Sequence, residues 1–187
     1  MFIQTETTPN PATLRFLPGR PVLPEGTLDI RDARGAERSP LAQALFSIDG
    51  VTGVFYGSDF ITVTKTDETD WQGLKPTVLG IIMEHFTSGA PLLAQGEAHD
   101  GDEADEFFDT NDSEIVDTIK DLLETRVRPA VASDGGDIKF KGFKDGIVYL
   151  AMKGSCQGCP SSTATLKHGI QNLLQHFIPE VNAVEQI

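Results

Sequence analysis

The sequence predicts an α+β protein: two small α/β-sandwich-type domains joined by an acidic flexible linker. Three observations carry that expectation. With 187 residues the chain is long enough for two modest cores. A stretch rich in Gly, Ala and acids, with no hydrophobic period, divides it near the middle. On either side, short alternating runs and helical stripes follow one another in the order of an α+β fold. The boundaries read as 1–87 for the first domain, 88–111 for the linker and 112–187 for the second domain.

In the first domain Thr13–Leu17 and Thr27–Arg31 alternate apolar and polar residues, which predicts two half-buried strands. Ser39 followed by Pro40 supplies an N-cap and a proline at the first helical position, so a helix runs to about Phe46. Gly50–Tyr56 and Phe60–Lys65 are β-rich runs around Gly57-Ser58-Asp59 and read as a hairpin. Asp70 opens a second helix whose apolar positions Leu74, Val78, Leu79, Ile82, Met83 and Phe86 recur at helical spacing. Trp71 is expected to staple the start of that helix.

The net charge of −13 is concentrated rather than spread. From Glu97 to Asp112 there are eight acids and no Lys or Arg, and setting that segment aside leaves −5 for the rest. About 20 such residues, if flexible, span roughly 25 Å and more under like-charge repulsion. A chain this acidic lacks the basic patch that supplies phosphate affinity, so no nucleic acid partner is expected. No apolar run approaches the ~20 residues of a membrane span, so no membrane partner is expected. The N-terminus Met1-Phe2-Ile3-Gln4-Thr5-Glu6 shows neither a secretory pattern nor an Arg-rich transit pattern.

In the second domain Asn111 with Glu114 three residues on reads as a helix start, and Ile115, Ile119, Leu122, Leu123 and Val127 form its stripe. Pro129 is expected to kink or end that helix. Asp134-Gly135-Gly136-Asp137 reads as a turn whose acids hydrogen-bond locally. Ile138–Phe143 and Ile147–Met152, around Lys144-Asp145-Gly146, read as an antiparallel pair. A helix from Pro160 to Phe177 and a strand near Val181–Val184 complete a small, mostly antiparallel sheet covered by two helices.

Both cysteines of the chain fall in Gly154-Ser155-Cys156-Gln157-Gly158-Cys159-Pro160-Ser161-Ser162, directly before that helix. A helix N-terminus favours anions and lowers a thiol's pKa toward the thiolate. Four thiolates usually hold a [4Fe–4S] cluster, and four Cys or His ligands a structural zinc ion. One chain supplies only half of either set, and a second copy of the same segment completes it most simply. A phosphatase-type use is excluded, because no Arg follows at the spacing that grips phosphate. A thioredoxin-type redox pair is less well matched, since a hairpin rather than a βαβ unit precedes the cysteines. Zinc shared across a dimer stays open. His85 and His176 read as helix-end residues meeting the last carbonyls, and His99 and His168 as solvent-facing.

These residues carry a resemblance to a known family. Arg126-Val127-Arg128-Pro129-Ala130, Asp134-Gly135-Gly136-Asp137 and Gly154 to Thr163 are similar to the NifU-like domain of the Nfu iron–sulfur scaffold proteins. Thr8-Pro9-Asn10-Pro11 with Leu14-Arg15-Phe16-Leu17-Pro18-Gly19 resembles that family's N-terminal domain. The resemblance implies a non-enzymatic carrier with no catalytic residues, holding a labile [4Fe–4S] cluster between subunits. By position, Cys156 and Cys159 are its metal ligands. It implies apo iron–sulfur clients, upstream cluster-assembly proteins and self-association on cluster binding as partners. A bacterial cytoplasm is the expected location, or the mitochondrial matrix if the chain is a trimmed eukaryotic form.

Overall fold

A computed structural model describes residues 1–94, 106–155 and 160–187, with side chains at 160–162 left aside. The chain divides into two compact units, Met1–Asp100 and Gly101–Ile187. Each is α+β, as the sequence predicts.

The first unit runs β1 (Gln4–Thr7), β2 (Thr13–Leu17), β3 (Leu28–Ile30), α1 (Ala33–Ala36), α2 (Pro40–Phe46), β4 (Val51–Tyr56), β5 (Ile61–Lys65) and α3 (Trp71–Ser88). Its five strands lie in the order β1-β2-β5-β4-β3, with each neighbouring pair antiparallel. Ser39 caps α2 by accepting from the Ala42 N–H, and Pro40 takes the first helical position. Asp70 caps α3 through the Gln72 N–H. Phe16, Leu28, Leu41, Leu45, Ile61 and Ile82 fill the core at 0–1% exposure. Within it the Ser39 and Tyr56 hydroxyls pair at 2.8 Å, and burial raises the Tyr56 phenol far above its ordinary range.

Trp71 anchors the start of α3 as expected. Its indole N–H donates to the Pro11 carbonyl, and its ring stands edge-on to Phe16. This fastens the Thr8–Pro11 turn, itself closed by the Asn10 side chain accepting from Ala12 N–H, onto the helix. Two elements were not predicted. β1 is polar and lacks alternation because it is an edge strand, formed by pairing with β2. The one-turn α1 rests on the Asp32 side chain accepting from Gly35 N–H.

The second unit runs β6 (Phe107–Phe108), a 3₁₀ turn (Thr110–Asp112), α4 (Ser113–Leu122), a π turn (Leu123–Val127), α5 (Arg128–Ser133), β7 (Gly136–Lys144), β8 (Ile147–Gly154), α6 (Pro160–Phe177) and β9 (Ala183–Gln186). The sheet order is β6-β7-β8-β9. The long central pair is antiparallel, and the short outer strands β6 and β9 join it in parallel. Asp145 and Gly146 both have positive φ (53° and 77°), the geometry of a type I′ hairpin turn. Val116, Ile119, Ile138, Val148, Leu150, Leu174 and Val184 pack the core between sheet and helices.

The structure corrects four details. Asn111 is not the cap; Asp109 accepts from the Asn111 N–H, and a 3₁₀ turn leads into α4. Pro129 does not end the helix. The chain stays helical to Ser133, because the π turn just before it changes the hydrogen-bond register where proline offers no N–H. The last strand begins at Ala183 rather than Val181, which is buried in the preceding turn. Finally, the stretch read as linker is ordered at both ends. Leu92 and Leu93 pack on the first core, and Phe107 packs against Tyr149 with the rings tilted and their centroids 5.1 Å apart. Its apolar ends are used for packing; residues 95–105 lie outside the described residues.

Candidate functional site

Cys156 and Cys159 themselves lie outside the described residues, so the site is defined by what borders them. β8 delivers the chain to Gly154 and Ser155, and α6 begins at Pro160, the residue after Cys159. The predicted helix start immediately after the second cysteine is therefore present. An 18-residue helix directs its N-terminal partial positive charge toward that end.

The entry side is built by a short closed circuit of hydrogen bonds. α5 ends in a turn where Asp134 N–H donates to the carbonyls of Ala130 and Val131, and Gly135 N–H to that of Ala132. β7 then starts at Gly136, opposite Gly154 in register, and Asp137 stands opposite Lys153. Gly154 takes φ 70°, which suits glycine, and turns the chain so that Ser155 N–H meets the Gly135 carbonyl at 3.3 Å. The Ser155 hydroxyl donates to the Asp134 carbonyl. Ser155 is only 1% exposed, so the residue before Cys156 is fixed and buried.

A charged pair braces the same corner. Arg128, the first residue of α5, donates to both carboxylate oxygens of Asp137, at 2.9 and 3.1 Å. It also reaches Glu124 one turn back at 2.5 Å. The hydrogen bond with Asp137, against the opposing effect of burial, raises the Arg128 guanidinium above its usual value. Asp137 additionally accepts from Ile138 N–H at 2.8 Å. Asp137 does bond locally, to the Ile138 N–H as the turn reading expects, and beyond that expectation it also takes the fork of Arg128. An Arg just before a helical Pro, with an Asp just after a Gly-Gly turn, was the available signal, but pairing nine residues apart is set by the fold.

The exit side is held from α6. Gln171 accepts from Val184 N–H, Gln175 donates to the Asn182 carbonyl, and Lys167 pairs with Glu185 at 2.9 Å, docking the helix along β9. Ile170 and Leu174 are buried beneath it. His168 and His176 are exposed. His85 departs from its expected role: it is 8% exposed, and its Nε2 has no hydrogen-bond partner among the described residues. Burial lowers its pKa. Among the described residues no cluster of three or more His, Cys, Asp or Glu could hold a metal ion. Likewise, among the described residues, no helix is long and apolar enough to cross a membrane.

Comparison with known proteins bears on the whole chain. A family model described as scaffold protein Nfu/NifU N terminal matches residues 3–89, and one described as NifU-like domain matches 119–185. The chain is 54% identical over 188 residues to the human protein named NFU1 iron-sulfur cluster scaffold homolog, mitochondrial, covering 100% of this chain and 72% of that one. It is 52% identical to NifU-like protein 5, mitochondrial, of Arabidopsis thaliana, covering 100% of this chain and 68% of that one. A solution NMR structure of a NifU-like protein from Saccharomyces cerevisiae aligns at a TM-score of 0.46 and 26% identity, over 51% of this chain and 86% of that one. With both domain types in order and relatives matched along its full length, the chain belongs to the Nfu/NifU-like family of iron–sulfur cluster scaffold proteins.

Proposed function

We propose that the chain carries a [4Fe–4S] cluster as cargo, held by Cys156 and Cys159 of two copies, and delivers it to apo-proteins. The observation that carries this reading is the chain's only pair of cysteines, placed between a buried strand end and a long helix start in a NifU-like domain. Two thiolates are half of the usual set, so a second chain completes it and cluster binding drives self-association. A thiolate-ligated [4Fe–4S]²⁺ core bears net negative charge, which two helix N-termini favour.

Delivery is ligand substitution on iron. A client's thiolates displace those of Cys156 and Cys159 one at a time, and a client site supplying all four thiolates in one chain makes the exchange downhill. The cluster is transferred intact, without net oxidation or reduction, and the protein's part is not catalysis of a chemical transformation. The reading needs a reducing compartment, which a mitochondrial matrix and a bacterial cytoplasm both supply. Upstream assembly proteins provide the cluster, and apo iron–sulfur proteins receive it. The test compares cluster transfer from the reconstituted wild type and from Cys159→Ser to an apo-protein with four free cysteines. The wild type should convert the acceptor to its holo spectrum. Full occupancy and full transfer by the Ser variant would overturn the assignment.

A further inference from the structure

We infer that Arg128 and Asp137 are positioning residues for the cysteine segment, acting through the backbone at Ser155. The inference rests on the carrier reading for its purpose, but its geometry stands apart from it.

The connection is short and continuous. Two parallel hydrogen bonds tie the Arg128 guanidinium on α5 to Asp137 on β7. One residue before Asp137, Gly136 pairs with Gly154; two residues before, Gly135 accepts from Ser155 N–H; three before, Asp134 accepts from the Ser155 hydroxyl. Among the described residues, the Ser155 N–H and hydroxyl therefore both bond to the turn directly before Asp137, at Gly135 and Asp134. The pair is costly to assemble. The Asp137 side chain is 10% exposed and that of Arg128 36%, so removing Arg128 takes the guanidinium fork from a largely desolvated carboxylate, whereas removing Asp137 leaves an arginine that still reaches Glu124 and solvent. A hydrophobic contact would stabilise the corner as well, whereas a planar fork on a carboxylate also fixes orientation. The π turn at Leu123–Val127 precedes Arg128 at the first position of α5, and Glu124 within that turn accepts a third bond from the guanidinium. Irregular helix of this kind often accompanies functional placement.

Arg128→Lys keeps the charge and loses the fork; Asp137→Asn keeps the shape and loses the charge. The exchange Arg128→Asp with Asp137→Arg restores a pair in reverse. Ser155→Ala removes only the hydroxyl bond and serves where a charge variant folds poorly. Two readouts apply to the full chain. In the apo form, amide hydrogen exchange should quicken at Gly135 and Ser155 in each single variant, while Val148 and Leu150 in the middle of β8 keep their protection. In the reconstituted form, loss of the cluster's visible absorbance to an iron chelator should quicken about tenfold to a hundredfold, the usual cost of losing a group that orients a metal ligand. The reversed pair should recover part of both. Unchanged exchange at Ser155 together with unchanged chelator rates would overturn the inference, as would uniform loss of protection along β8, which marks a general stability role. Failure of the wild type to take up a cluster would sink the carrier reading instead, and the apo exchange data would still decide this one.

Discussion

The two units use the same materials to different ends. In the first, five antiparallel strands and three helices close on a core that contains its own polar bond between Ser39 and Tyr56, and the unit holds no cysteine. In the second, several distinctive features gather at one corner. The π turn, the Arg128–Asp137 pair, the Gly136–Gly154 match and the buried Ser155 all lie where the chain enters Cys156. The opposite end of the same hairpin, at Asp145-Gly146, is an ordinary type I′ turn. The contrast is one of placement: the first unit keeps its buried polar bond inside the core, whereas the second sets an ion pair and a buried serine beside the cysteine segment.

Four perturbations sharpen that contrast. Phe16→Ala, which empties a fully buried site in the first unit, should cost about 3–5 kcal/mol there. Denaturant unfolding followed by Trp71 fluorescence reports on this unit, and cluster loading by the second should persist; loss of both would erase the division of labour. Gly146→Ala comes next. Its φ of 77° suits glycine, and an added Cβ would crowd Asn182 and the Glu180 carbonyl, so about 1–3 kcal/mol should be lost from the second unit. Cluster retention should stay near wild type, because this turn lies at the far end of the hairpin; calorimetry and chelator kinetics on one sample check both. Tyr56→Phe removes one buried hydroxyl and should destabilise the first unit by about 1–2 kcal/mol, read as a shift in the denaturant midpoint.

The smallest effect is a pH dependence confined to the first unit. Burial lowers the His85 pKa in the folded state, so the unfolded chain binds the proton more readily. The neutral imidazole's contribution is therefore intact above the ordinary His value of 6.5, declines as pH falls below it, and levels off once the folded form is itself protonated. His85→Phe should flatten the stability profile of the first unit between neutral and mildly acidic pH. An unchanged slope would mean that other groups set it.

Much of this was legible because local chemistry and packing agree. Ser39-Pro40 and Asp70 announce their helices through caps that the structure uses, and the 51–65 hairpin follows from two β-rich runs around Gly57. Pro160 opens α6 as its position predicts. The rest depends on partners distant in sequence. β1 and β6 are strands only because β2 and β7 offer an edge to them. Asp109 displaces Asn111 as cap because a 3₁₀ turn precedes α4, which no hydrophobic period signals. The role of Asp137 depends on Arg128 crossing from α5, and without that contact a Gly-Gly turn accounts for it equally well. The cysteines stood out from composition alone; the groups bracing their approach did not.

The most direct test of the central claim is anaerobic reconstitution of the full chain with iron and sulfide, read by Mössbauer spectroscopy and size-exclusion chromatography on the same sample. The account predicts about four irons and four sulfides per dimer, with the dimer lost on chelation. A colourless monomer whose cysteines instead cycle between thiol and disulfide would contradict it.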